Sequence, residues 1–127
     1  MKNVFKKIAF TSILMIAFAF SSNLKAQSYE VYDGDKFSVM FTVVDDTAED
    51  VKFASVGASK WTDFEVIDTK NWYGTGTNKG CLFTFYVLDS VYNAYQIDYY
   101  ENDYIMVFQV DHNDLKQIGS GWKLTLR

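Results

Sequence analysis

"NWYGTGTNKGCLFTFY" (residues 71–86) sets three glycines and a lysine directly before an apolar run. A phosphate-cradling loop here would make the chain an α/β nucleotide-using protein; a connection between two strands would make it all-β. A Walker-type loop places lysine immediately after its last glycine, in the order G-x-x-x-x-G-K-[ST]. Here Gly74, Gly76 and Gly80 read G-x-G-x-x-x-G, and Lys79 precedes the last glycine. A dinucleotide loop must open a helix, because the helix N-terminus holds the phosphates. Cys81 to Leu88 instead alternates Cys81, Phe83, Phe85 and Val87 with Leu82, Thr84, Tyr86 and Leu88, the period of a strand. The stretch reads as a glycine-rich connection between strands.

The same texture recurs along the chain. Runs rich in β-branched and aromatic residues span 29–32, 36–44, 51–56, 61–67, 81–88, 91–100, 104–110 and 122–126, each closed by a polar break. Asp33-Gly34 offers a two-residue hairpin turn. Asn102 and Asp103 tolerate left-handed backbone. Asp45 to Asp50 reads as a charged tip, with Thr47 and Asp50 able to cap a short helix instead. Asp111 to Gly121 is the longest break and has room for a helical turn. The spacing predicts an all-β fold: a small antiparallel β-sandwich or β-barrel of seven or eight strands, largely a meander. Runs 36–44, 81–88 and 104–110 are apolar on both faces, so their second face must be covered or must bind something. "GSGWKLTL" (residues 119–126) resembles the glycine–tryptophan opening of lipocalin-like barrels. There it opens the first strand and here the last run, so no family is carried over.

The N-terminus reads as a secretory signal. Met1 to Lys7 holds Lys2, Lys6 and Lys7 and no acid; Ile8 to Phe20 is apolar apart from Thr11 and Ser12; Ser21 to Ala26 ends on a small residue. The apolar run is shorter than the roughly 20 residues that span a bilayer, so no stable membrane insertion is expected after cleavage. Cleavage after Ala26 leaves a single all-β domain over residues 27–127, secreted or periplasmic. Beyond Ala26, eight basic residues face sixteen acidic ones, a net charge of −8. That balance repels phosphate backbones and argues against a nucleic-acid partner. Cys81 is the only cysteine, so no intramolecular disulfide staples the domain.

Few chemistries remain open. His112 is the only histidine, which leaves no marked nucleophilic triad or ordinary zinc site. Asp63 and Glu65 alternate with apolar residues and point to one side of a strand, the minimum for a small glycan hydrolase. Asp45, Asp46, Glu49 and Asp50 supply four carboxylates in six residues and form the possible calcium site; no other cofactor is expected. Beyond Ala26, nineteen residues are Phe, Trp or Tyr. Tyrosine and tryptophan join a flat apolar ring to a polar handle, which suits a binding surface. The candidate ligand-binding residues are Trp61, Trp72, Tyr73, Tyr92, Tyr95, Tyr99, Tyr100 and Trp122. The leading expectation is an exported, non-enzymatic binding domain for a glycan or a protein partner, inhibitor- or immunity-like in kind. The alternatives are a self-associating surface or matrix protein that forms homo-oligomers, and the hydrolase using Asp63 and Glu65.

Overall fold

The computed structural model, described for residues 28–72 and 80–127, is one closed antiparallel barrel. Its strands are β1 (Glu30–Asp33), β2 (Phe37–Val44), β3 (Thr47–Ser55), β4 (Thr62–Asn71), β5 (Cys81–Leu88), β6 (Ala94–Tyr100), β7 (Tyr104–Val110) and β8 (Trp122–Leu126). Each pairs with the next and β8 pairs with β1, a pure meander. Barrel, rather than sandwich, is therefore the architecture, and closure leaves no unpaired sheet edge. No described helix is long and apolar enough to cross a membrane. The expected signal segment, residues 1–26, and Tyr73 lie outside the described residues.

The closing seam is short. Tyr32 faces Leu126 and Asp33 faces Thr125. Arg127 reinforces it: its backbone N–H donates to Val31 C=O at 2.8 Å, and its guanidinium donates twice to Asp33, from Nε and Nη2, both at 2.9 Å. Bonds from Arg127, then from Ser38, hold the Asp33 carboxyl below its usual range.

Alternation places the core inside. Val39, Phe41, Val51, Phe83, Phe85, Val87, Ile97, Ile105, Val107 and Leu124 fill the lumen and are buried. Each such side chain contributes about 1.5–3 kcal/mol by leaving water, so this filling is the main stabiliser in a domain without a disulfide. The outside of β4 is charged, with Asp63, Glu65 and Lys70 exposed. That polarity is the reverse of a lipid-facing barrel, whose apolar side chains point outward.

Three bulges adjust the alternation. Register shifts fall around Asp50 on β3, opposite Met40 to Thr42 of β2, between Val66 and Asp68 on β4, and between Cys81 and Phe83 on β5. The last corrects the expected face of Cys81. Phe83, Phe85 and Val87 stay in the lumen, while the Cys81 thiol lies 3.8 Å from Thr84 Oγ1 on the other side of the strand.

The turns differ from the sequence reading in instructive ways. The β1–β2 tip is Asp35 and Lys36, not Asp33 and Gly34, because Gly34 N–H already donates to Phe37 C=O at 3.0 Å. Gly34 serves packing instead: a Cβ there would meet Leu124 Cγ at 3.0 Å. Asp45 and Asp46 form the β2–β3 tip with φ of 49° and 67°, a type I′ geometry, and β3 follows at once with no capped helix. Asp103 takes φ 62° between β6 and β7, as its residue type suggests. The 111–121 connection holds one turn, closed from Leu115 N–H to Asp111 C=O at 2.8 Å, but no helix.

That connection also explains how β5 can be apolar on both faces. Tyr86 lies outside the lumen, in a satellite cluster with Ala94 and Val110, packed over by Leu88 and Leu115. Further along β5, Trp72 Nε1 donates to Thr84 Oγ1 at 2.9 Å, and Thr84 donates to Asp98 Oδ1 at 2.7 Å.

Candidate functional site

The two ends of the lumen are built differently. At the end holding the 34–36, 56–61, 89–93 and 111–121 connections, inward positions near the strand termini carry rings. Phe37 opens β2, Phe53 lies near the end of β3, Phe64 and Tyr95 sit near the starts of β4 and β6, and Trp122 opens β8. Phe37 stacks on Phe53 at 5.7 Å and meets Trp122 edge-on at 5.4 Å. Phe53 packs on Phe64 at 4.3 Å and on Tyr95 at 5.1 Å. These rings surround a half-open cavity of about 460 Å³. Lys36, Lys60, Ala54, Ser55, Ala58, Thr62 and Asp89 complete its lining.

Its floor is apolar and its rim polar. Asp89 is committed to its own loop: its carboxylate accepts from the backbone of Val91 at 3.0 Å, the backbone of Asn93 at 2.8 Å and Asn93 Nδ2 at 2.9 Å. Burial pushes its carboxyl up, but the bonds from Asn93 and Val91 outweigh this and hold it below its usual range. Burial, with the Asp89 charge behind it, pushes the Tyr95 hydroxyl up, which keeps it neutral. A second cleft of about 340 Å³ lies beyond the 55–58 wall and is lined by Trp61, Asp33 and Arg127.

The opposite end is closed by hydrogen bonds. Tyr32 Oη donates to Glu30 Oε1 at 2.5 Å, and Tyr99 Oη donates to the same carboxylate from across the lumen. Phe41 and Phe83 pack on Tyr99 and fill the space beneath.

The structure scatters the aromatic residues singled out from sequence. Tyr95 and Trp122 meet in the cup, while Trp61 faces the second cleft. Tyr99 is inside, at the closed end. Tyr100 stacks on Tyr104 at 4.6 Å, with Lys123 Nζ 4.5 Å from the Tyr104 ring centre. Trp72 is tied to Thr84 on β5. Tyr92 is exposed and stacks on His112. Sequence reasoning missed Phe37, Phe53, Phe64, Lys36, Lys60 and Asp89. Their shared signal is position: the phenylalanines and the two lysines sit at strand ends or connections that a meander brings to one rim.

The acidic candidates are also separated. Asp45 and Asp46 occupy the turn, while Glu49 and Asp50 lie on β3. Asp50 accepts from Tyr29 and lies 3.3 Å from Lys52. Among the described residues, no group of three or more His, Cys, Asp or Glu side chains is placed to hold a metal ion. Asp63 is bound by Lys52 on the outer surface, and neither it nor Glu65 lines either cleft.

Fold and site together define a core-filled meander barrel with an aromatic cup at the end described above. The sequence matches no protein-family model, and neither a curated protein nor a solved structure matches the chain.

Proposed function

We propose that this chain is an exported, non-enzymatic binding domain whose ligand seats a ring in the aromatic cup. The observation that carries the reading is the group of five rings around an open cavity of about 460 Å³. Ligand sites have this character: concave, mostly apolar, with a few polar groups at the edge. The cup favours an apolar ring over a sugar. Phe37, Phe53 and Phe64 offer no hydrogen bonds, so sugar hydroxyls buried there would go unpaired at a cost of about 1–3 kcal/mol each.

Phenylnaphthylamine, a neutral two-part aromatic probe, tests the reading. At about −0.3 kcal/mol per heavy atom, it should bind with a Kd of roughly tens to hundreds of micromolar. Ala58 is exposed on the cup's wall, so Ala58→Phe should plug the mouth without touching the core. Loss of probe binding in that variant supports the reading; no binding to the parent protein, or unchanged binding in the variant, overturns it.

Self-association is a second reading. Val91, Tyr92 and Ile118 are 71%, 65% and 50% exposed on connections at this same end. A sedimentation mass that stays monomeric at high concentration removes it.

A further inference from the structure

We infer that the mouth selects anions: its ligand is a small molecule with a flat apolar body and one carboxylate or sulfonate. This rests on the cup being the binding site and adds the charge of what enters it.

The chain beyond Ala26 is strongly acidic, yet two lysines line the aromatic cup. Lys36 is at the tip of the β1–β2 turn and Lys60 is in the β3–β4 connection; both line the cavity and both are exposed. Lys116, on the 111–121 connection, is also exposed but does not line the cavity, and the other described cations are engaged. Lys52 is bound to Asp50 and Asp63, and Arg127 to Asp33. Lys70 and Lys123 lie over the Tyr86 and Tyr104 rings. Among the described residues, neither Lys36 nor Lys60 has an ion-pair partner within 4.0 Å.

The rim's one lining carboxylate does not neutralise them. Asp89 spends its acceptor positions on Val91 and Asn93 within its own loop. The cavity lining therefore carries two ammonium groups against one satisfied carboxylate. An anion docked there needs little desolvation, since its charge remains at the rim while its body takes the dry floor. A cationic or neutral ligand of the same shape gains only the floor. The two lysines reach the cavity from different connections, so a single acidic group between them would fix the ligand's orientation as well as its depth.

Paired probes isolate the charge. Anilinonaphthalene sulfonate is phenylnaphthylamine with a sulfonate added, so the ratio of their affinities reports the rim and not the cup. On the purified protein at low salt, the sulfonate should bind about tenfold more tightly than its neutral partner. Raising salt should erode that preference, because the lysines are exposed. In the double variant Lys36→Gln and Lys60→Gln, the preference, read as the ratio of the two probes' affinities for that variant, should fall to within about twofold. Both positions are surface-exposed, and an unchanged circular dichroism spectrum checks the fold. If the neutral probe binds in the mouth but the sulfonate has no advantage, or keeps its advantage in the double variant, the charge inference is overturned while the cup stands. If neither probe binds, or Ala58→Phe leaves both unchanged, the binding site itself is lost.

Discussion

Tyr99 reaches across the barrel to Glu30: its Oη lies 2.9 Å from Oε1 and 3.1 Å from Oε2. β1 and β6 are not neighbours in the sheet, so this bond spans the lumen rather than a ladder. Tyr32 donates to the same carboxylate from the adjoining position on β1. One end of the barrel is thus held shut by a carboxylate between two phenols, while the other ends in rings with no such strut.

Losing a strut should be measurable. A hydrogen bond to a charged acceptor contributes about 1.5–3 kcal/mol, so Tyr99→Phe should lower unfolding stability by about that amount in urea titration at neutral pH. An unchanged midpoint would mean that Glu30 is equally well served by water.

The same pair predicts alkaline sensitivity. Burial, then the bond to Glu30, raises the Tyr32 hydroxyl well above its ordinary 10.0. Burial and Asp50 likewise push Tyr29 up to about 12. A group raised on folding gives stability that is complete below its unfolded value and lost as pH rises toward its folded one. Stability should therefore be flat through neutral pH and fall above pH 10, with Tyr32 ionising only as the barrel opens. Phenolate absorbance that rises together with loss of structure would show this; free ionisation of every tyrosine near its ordinary value in the folded state would contradict it.

Gly121 lies beneath the Phe108 ring. A Cβ there would fall 2.4 Å from Phe108 Cε2 and 2.6 Å from Cδ2, closer than real contacts permit. Gly121→Ala should destabilise by about 1–3 kcal/mol. Adding Phe108→Ala should recover part of that loss, a coupling that a double-mutant cycle would reveal.

Thr42 carries a buried hydroxyl with no hydrogen-bond partner among the described residues. Valine has the same shape, suits a strand and removes the unmet group. Thr42→Val is expected to raise stability by about 1 kcal/mol, read as a higher urea midpoint at constant m.

Cys81 should be silent in the folded protein. It is buried, and burial pushes its thiol up, more than the Thr84 bond lowers it. Thiolate is the reactive form. A thiol reagent should label it slowly under native conditions and fully in denaturant; rapid native labelling would mean that the strand end frays.

Much of the barrel was legible in the residues. The run 81–88 reads as a strand and forms β5 with those bounds, and 104–110 and 122–126 form β7 and β8. Strand starts were harder. β3 begins at Thr47 rather than Val51, because the Asp45–Asp46 turn is tight enough for pairing to resume at once, as Val44 facing Thr47 shows. β6 begins at Ala94 rather than Val91, because Asp89 binds the backbone of Val91 and Asn93 and keeps it from the ladder. The binding cup was barely legible. Tyr95 and Trp122 stand out in the sequence as amphipathic rings, while nothing local separates Phe37, Phe53 and Phe64 from core phenylalanines such as Phe41 and Phe85. Whether a ring is floor or filling depends on how near it sits to the rim, and no local pattern carries that.

By itself, the sequence determined the pleated, alternating chain, its acidic balance and the absence of an intramolecular disulfide, because side-chain period, charge and cysteine count are properties of neighbours and totals. Only the tertiary structure decided that the sheet closes on itself, which end is strutted by Glu30, and that five rings and two lysines line a cup at the other. Those follow from register and bulges around the whole ring of strands. A shift at Leu82 or Asp50 redirects every side chain beyond it, and that information exists only once all eight strands are paired.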